Sequence, residues 1–188
     1  MMTAKRCSWC EGDALYRAYH DEEWGRPIHD DRRLFELLVL ESFQTGLSWY
    51  TILAKREGFR TAFDGFDYRL IAAYDDAKVE ALMQDVRIVR NRQKILATIQ
   101  NAARFMEIQQ EFGSFSEFIW AFVGGSPCVN HPRKLEDVPA STPTSDAIAK
   151  ELKRRGFKFI GSTVAYAFMQ AVGLVNDHIE DCAFKYPD

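Results

Sequence analysis

Residues 31–45 constrain this chain most. Leu34, Phe35, Leu37, Leu38, Val39 and Leu40 follow one another with one interruption. On a wheel of about 100° per residue only Glu36 clearly faces away from apolar neighbours, so the helix should be largely buried. A helix apolar on nearly every side must be enclosed by other elements, and the rest of the chain offers them as further helices. Asp30 or Asp31 is placed to cap the start of this one.

A shorter helix is expected at 49–57, after Ser48, and a long one at 86–111, where Ile88, Ile95, Ile99, Ala102 and Met106 recur at three- and four-residue steps or their multiples. Ser114 or Ser116 could cap the next, whose Phe115, Phe118, Ile119 and Phe122 share a face. The stretch from Gly124 to Pro143, with a Gly-Gly pair and several prolines, reads as a connection. Then comes a pair of helices, about Ser145 to Arg155 and Thr163 to about Val172, around the hairpin Gly156–Gly161. Ser162 suits the N-cap of the second, and Gly173 its C-terminal cap. No run alternates as strands do, and no segment repeats. The class is all-α, read as one unit over 1–188, within which two closely packed helical subdomains are compatible.

Composition bounds the partners. With 188 residues and 47% hydrophobic content, the chain can fill a core. No stretch approaches the ~18 consecutive apolar residues of a membrane span. The first residues carry charge but no apolar h-region, which points to a cytoplasmic protein with reduced cysteines. A net charge of −3 argues against coating nucleic acid by bulk electrostatics, so any DNA contact needs a local basic patch.

Cys7 and His20 lie near one end of the chain, and His178 and Cys182 near the other. The second pair is spaced i, i+4, so a helix there would aim both side chains at one point. Two thiolates and two imidazoles would fill a tetrahedral zinc shell and leave no open position, the pattern of a structural site. Such a clasp would close a loop of about 160 residues. The spacing is not a common finger signature, and scattered Cys and His residues often carry no special role. Cys7-Ser-Trp-Cys10 is a second possibility, a Cys-x-x-Cys pair that could bind metal or cycle redox. The absence of a surrounding βαβ pattern disfavours a thioredoxin-like role.

Glu41 continues the series Leu34, Leu37 and Leu38, so it should point inward. Buried carboxylates are costly without partners. Either it is exposed at a helix end or paired with an arginine, or it lies at the floor of a pocket awaiting donors from a ligand. Gly46-Leu47-Ser48-Trp49 follows directly, and Tyr16, Tyr19 and Trp24 flank His20. Around one inward carboxylate these aromatics would suit a flat, donor-bearing, electron-poor ring such as a methylated purine.

The blocks Tyr16-Arg-Ala-Tyr19-His20-Asp-Glu-Glu-Trp24-Gly25-Arg-Pro27, Leu40-Glu41-Ser-Phe-Gln44-Thr-Gly46-Leu47-Ser48-Trp49, Lys153-Arg-Arg-Gly156-Phe157-Lys158-Phe-Ile-Gly161 and Gly173-Leu-Val-Asn-Asp177-His178 together resemble the DNA-3-methyladenine glycosylase I family. They keep the family's order and span nearly the whole chain. The resemblance implies a divergent helix-hairpin-helix DNA glycosylase fold, with its hairpin at 156–161 and zinc on Cys7, His20, His178 and Cys182 joining the N- and C-terminal segments. It also implies that Glu41 is the catalytic carboxylate and that Tyr16, Tyr19 and Trp49 bind the base. Gly46 and Leu47 are then expected near the gap left by the extruded nucleotide. Cys10 has no place in the family pattern. Asp177 receives no catalytic role, since the family lacks the usual aspartate after the hairpin.

The expected reaction is base excision of 3-methyladenine from alkylated double-stranded DNA by a monomeric, monofunctional enzyme that leaves an abasic site. DNA contact is expected at Gly156, Phe157, Gly161, Ser162, Lys153 and Lys158. Lys150, Arg154 and Arg155 extend that patch, and Arg87, Arg90, Arg92 and Lys94 could form another. Two other readings are a zinc-stabilised DNA-binding module without catalysis and a zinc nucleobase deaminase. The inward Glu41 counts against the first, and the missing His-x-Glu and Pro-Cys-x-x-Cys elements against the second.

Overall fold

A computed structural model describes residues 4–186, so the first three and last two residues of the expected unit lie outside it. Ten helices run along it: α1 (Ala14–Glu22), α2 (Asp31–Gln44), α3 (Trp49–Ala54), α4 (Arg56–Ala62), α5 (Tyr68–Ile71), α6 (Asp76–Gln84), α7 (Arg92–Phe112), α8 (Phe115–Trp120), α9 (Pro143–Arg154) and α10 (Ser162–Ala171). One element departs from the all-α expectation. Cys128–Val129 (β1) and Val175–Asn176 (β2) form a two-residue parallel pair. Neither piece is long enough to show the alternation by which a strand is recognised.

Helix α2 is the axis of the fold. Residues 34–43 are all buried, so the helix is enclosed as its composition demands. Asp30 caps it, its carboxylate accepting from Arg33 N at 2.9 Å. Asp31 caps α8 instead, accepting from Phe115 N and Ser116 N at 2.9 Å each. Ser114 is the side-chain cap within that segment. Helices α3, α7, α8 and α10 pack on α2, and its own Phe35 and Phe43 are fully buried with Phe59, Phe105 and Phe168 in one continuous core.

Several boundaries differ from expectation for local reasons. The helix expected at 49–57 bends at Lys55, whose N–H turns back to Ile52 O, and continues as α4. The helix expected from 86 starts at Arg92, because Asn91 is extended and its side chain caps Lys94 N at 3.1 Å. Ile88 is buried all the same, from the turn before it. Helix α9 begins at Pro143, two residues before its expected start, with Thr142 as its cap. Gly161 rather than Ser162 is the N-cap of α10, and Ser162 Oγ instead meets Ser145 Oγ at 2.8 Å. No helix forms around His178 and Cys182; a turn carries them, with Cys182 N donating to Ile179 O. Helix α1, with Asp13 as its cap, was not signalled by an apolar repeat.

Glu36 does leave the apolar face, but it is not exposed. Arg56 Nε donates to it at 2.6 Å and Arg60 Nε at 3.0 Å, and Arg56 also binds Glu23. These contacts tie α2 and α4 to the residue that ends α1, so the outer face of α2 is covered by paired charges at Glu36.

Candidate functional site

Helices α1, α2 and α3 bring their aromatic and acidic residues to one cavity of about 470 Å³. Glu41 and Gln44 come from α2, Tyr16 and Tyr19 from α1, and Trp49 opens α3, where Ser48 Oγ caps Thr51 N at 3.2 Å. Tyr19 and Trp49 lie with ring centroids 5.5 Å apart. Tyr16 packs edge-on against Tyr50 and Trp9, 5.4 Å from each. The volume is within the range of small-ligand sites.

Three buried side-chain polar atoms have no hydrogen-bond partner among the described residues: Glu41 Oε2, Tyr19 Oη and Trp49 Nε1. All three residues line this cavity. Buried polar groups are nearly always satisfied, so three orphans around one space mark a place where a ligand or water completes them. Burial alone pushes the Glu41 carboxyl up to about 8. It also carries the Tyr19 hydroxyl well above its ordinary range, Glu41 adding to the effect. The exposed and arginine-paired alternatives for Glu41 are thereby excluded, since it is 4% exposed and no cation meets it.

Beside the cavity, Cys7, His20, His178 and Cys182 converge. All four are buried, and their donor atoms lie within 4.8 Å of one another. Cys182 Sγ stands 3.6 Å from His20 Nε2 and 3.4 Å from His178 Nδ1, and Cys7 Sγ is 3.8 Å from His178 Nδ1. Ideal bond lengths for one tetrahedral ion require sulfur–nitrogen edges of about 3.6 Å, so the set fits a metal ion. The remaining ring nitrogens are held as ligating imidazoles usually are: His20 Nδ1 by Asp21 at 2.7 Å and His178 Nε2 by Trp24 O at 3.0 Å. Cys10 stays outside the group, donating its thiol to Cys7 O at 3.1 Å, while burial pushes it up to about 11.

The family model for methyladenine glycosylase matches residues 9–186.

The chain belongs to the methyladenine glycosylase family.

It is therefore a glycosylase and a hydrolase. It is 49% identical over 178 residues to DNA-3-methyladenine glycosylase 1 of Escherichia coli strain K12, covering 95% of each chain. A solved structure concerned with 3-methyladenine recognition by 3-methyladenine DNA glycosylase I of Staphylococcus aureus superposes with a TM-score of 0.94, at 37% identity and 97% coverage of both chains. A variant of 3-methyladenine DNA glycosylase I in complex with 3-methyladenine also superposes at 0.94, at 36% identity, covering 97% of this chain and 98% of that one.

This methyladenine glycosylase completes its cavity with residues that the periodicity did not single out. Trp9 touches Tyr16, Trp24 and His20 edge-on, at 5.1–5.4 Å, and so bridges the Cys/His group and the cavity wall. Leu135, Val138 and Pro139 close another side. Their signal was weak: a few apolar residues in a stretch otherwise read as a connection. Asp177 lines the cavity too, but its oxygens are taken by Tyr166 at 2.5 Å, Gln170 at 2.9 Å and Asn130 at 2.7 Å.

Gly46 and Leu47 are not in the cavity wall. They form the exposed loop between α2 and α3, with Gly46 at φ +82° and Leu47 40% exposed. In the hairpin, Gly156 takes φ +91° and Asn101 holds both Lys158 N and Lys158 O. The Phe157 ring is buried in the core, and the exposed aromatic there is Phe159. Gly161 caps α10 without a side chain, which leaves its first amides free for an acceptor.

The two basic patches are smaller than the sequence suggests. Arg154 and Arg155 are paired with Glu151, and Arg155 also with Glu111, whereas Lys150, Lys153 and Lys158 are exposed. Arg87 pairs with Asp85 and Arg92 with Glu80. Lys94 is buried and leaves the second patch altogether, donating to Phe43 O and Thr45 O.

Proposed function

We propose that this chain excises 3-methyladenine from alkylated double-stranded DNA, flipping the base into the cavity and leaving an abasic site. The observation that carries this reading is the set of unpartnered polar atoms on Glu41, Tyr19 and Trp49 around one aromatic-walled space. A purine edge supplies donors to the carboxyl and acceptors to the indole and phenol. The names of its relatives, which are 3-methyladenine DNA glycosylases, support the same substrate.

A base inside duplex DNA must leave the stack before its glycosidic bond is cut. Methylation at N3 makes the purine cationic, so as the bond to C1′ breaks the electron pair stays on the base, which departs neutral. Water then adds to C1′ and gives up its proton. Little acid catalysis is needed, which agrees with an Asp177 fully occupied by protein donors. Selectivity falls to Tyr16, Tyr19 and Trp49, whose faces attract a cationic ring, and to Glu41, which accepts hydrogen bonds from the adenine edge.

The Cys7, His20, His178 and Cys182 group suits zinc, since two thiolates and two imidazoles are its common structural ligands. Its four positions are filled by protein, so the ion would fasten residues near the two ends and shape the wall at Trp9. Hairpin amides at the start of α10, with Lys153 and Lys158, would take DNA phosphates. We read the enzyme as a cytoplasmic monomer; no helix of the described residues is long and apolar enough to cross a membrane. Incubation with methylated duplex DNA and chromatography of the released bases tests the assignment. Release of 3-methyladenine is expected, and release of no base overturns it.

A further inference from the structure

Lys94 is a buried cation without a carboxylate. It is 7% exposed, and its ammonium donates to Phe43 O at 2.8 Å and Thr45 O at 2.7 Å. No ion pair joins it among the described residues. Its place in its own helix is unfavourable, for it sits in the first turn of α7, at the positive end of that helix dipole. Asn91 already satisfies its backbone N–H. The side chain instead serves the other end of a different helix. The last carbonyls of α2 have no partners within that helix, and a cation there satisfies them and opposes the dipole in the favourable sense.

We propose that Lys94 is a positioning residue for base excision, fixing the loop 45–48 between the two helices that carry Glu41 and Trp49. The stretch is short, and every part of it bears on the site. Gln44 lines the cavity, Gly46 turns the chain at φ +82°, Leu47 stands out 40% exposed, and Trp49 lines the cavity again. An exposed leucine between two cavity residues is where an apolar wedge would meet the helix from which a base is drawn. The carbonyl of Thr45, the residue just before Gly46, is one of the two that Lys94 holds. Released from Lys94, the loop would keep its residues but lose the fixed exit angle. Glu41, one turn earlier in the packed body of α2, would stay where it is.

This inference rests on the base-excision reading above, and the experiment separates the two. Single-turnover excision from methylated duplex DNA is measured for wild type, Lys94→Met and Lys94→Arg. Binding of free 3-methyladenine is followed in parallel by tryptophan fluorescence, and thermal unfolding is recorded for each. Folded Lys94→Met is expected to excise at least about tenfold more slowly while its affinity for the free base stays within about twofold. Lys94→Arg, which can also donate to two carbonyls, is expected to recover most of the rate. Unchanged excision by folded Lys94→Met overturns the proposal, as does an equal loss of free-base affinity or a failure of Lys94→Arg to recover activity. If Lys94→Met does not fold, Lys94→Gln, which retains one donor, is judged by the same criteria. A wild-type protein that releases no 3-methyladenine overturns the base-excision reading itself, before any variant is compared.

Discussion

Glu41 Oε2 and Trp49 Nε1, an acceptor and a donor, are both buried on the wall of one cavity, and neither has a protein partner. A fold that spends stability on two such groups gains nothing from them unless a ligand completes both. Glu41→Gln and Trp49→Phe therefore separate recognition from folding. Each is expected to lower excision at least about 100-fold, the equivalent of roughly 3 kcal/mol in the barrier. Neither change breaks a hydrogen bond within the free protein, so both variants are expected to fold. Normal excision by both variants would refute the pocket assignment.

The same carboxyl should make stability depend on pH. Burial raises it from an ordinary value near 4.5 to about 8 in the folded protein. Between those values the folded state holds a proton that the unfolded state has lost, so stability falls as pH rises through this window. Its share of stability is fully present below pH 4.5 and is lost once pH passes about 8. Glu41→Gln cannot ionise, so the difference in urea midpoint between variant and wild type should widen in the variant's favour from pH 5 to 9. Parallel midpoints over that range would show that the carboxyl is not held protonated.

How far the site was legible in the sequence depends on where each charge finds its partner. Glu41 could be read because it continues the apolar series Leu34, Leu37 and Leu38, and the Cys/His quartet because its residue types are complementary. Glu36 and Lys94 could not, since what buries them lies far along the chain: Arg56 and Arg60 for the one, the carbonyls of Phe43 and Thr45 for the other. Helix α2 was plain from composition, but α4, α5 and α6 are too short to establish a period. The His178–Cys182 spacing suggested a helix, yet a turn presents both side chains equally well. The cavity wall from Leu135 to Pro139 was hidden because its role comes from where the connection folds back and not from any local pattern.

Loss of the proposed metal ligands should act on stability more than on the chemistry. Cys182→Ser removes a thiolate close to both imidazoles. Elemental analysis is expected to find one zinc per wild-type chain and less in the variant. The thermal midpoint should fall by more than about 5 °C, given that each kcal/mol moves a domain of this size by roughly 2–4 °C. Single-turnover excision by the folded fraction at low temperature should match wild type within about threefold. A variant that keeps the wild-type midpoint, or wild-type protein free of metal, would contradict the clasp.

Gly173 joins the two ends of the fold by a different device. It follows α10 at φ +75°, and a Cβ there would lie 2.3–2.5 Å from the backbone of Arg26 and Pro27. Backbone cannot step aside as a flexible side chain can. Next to this contact, Ile28 N donates to Val172 O and Gly25 N to Gln170 O, so the segment leaving α1 is sewn to the end of α10. Trp24 O, which holds His178, sits on that segment. Gly173→Ala combines a left-handed backbone with a backbone clash and should cost about 2–4 kcal/mol. The Cys/His group should loosen with it, since the shift separates the segments that carry His20 and His178. Faster zinc loss to a chelator from Gly173→Ala than from wild type, together with a lower urea midpoint, is the expected pair of results. An unchanged midpoint would mean that the two backbones are not in the contact described.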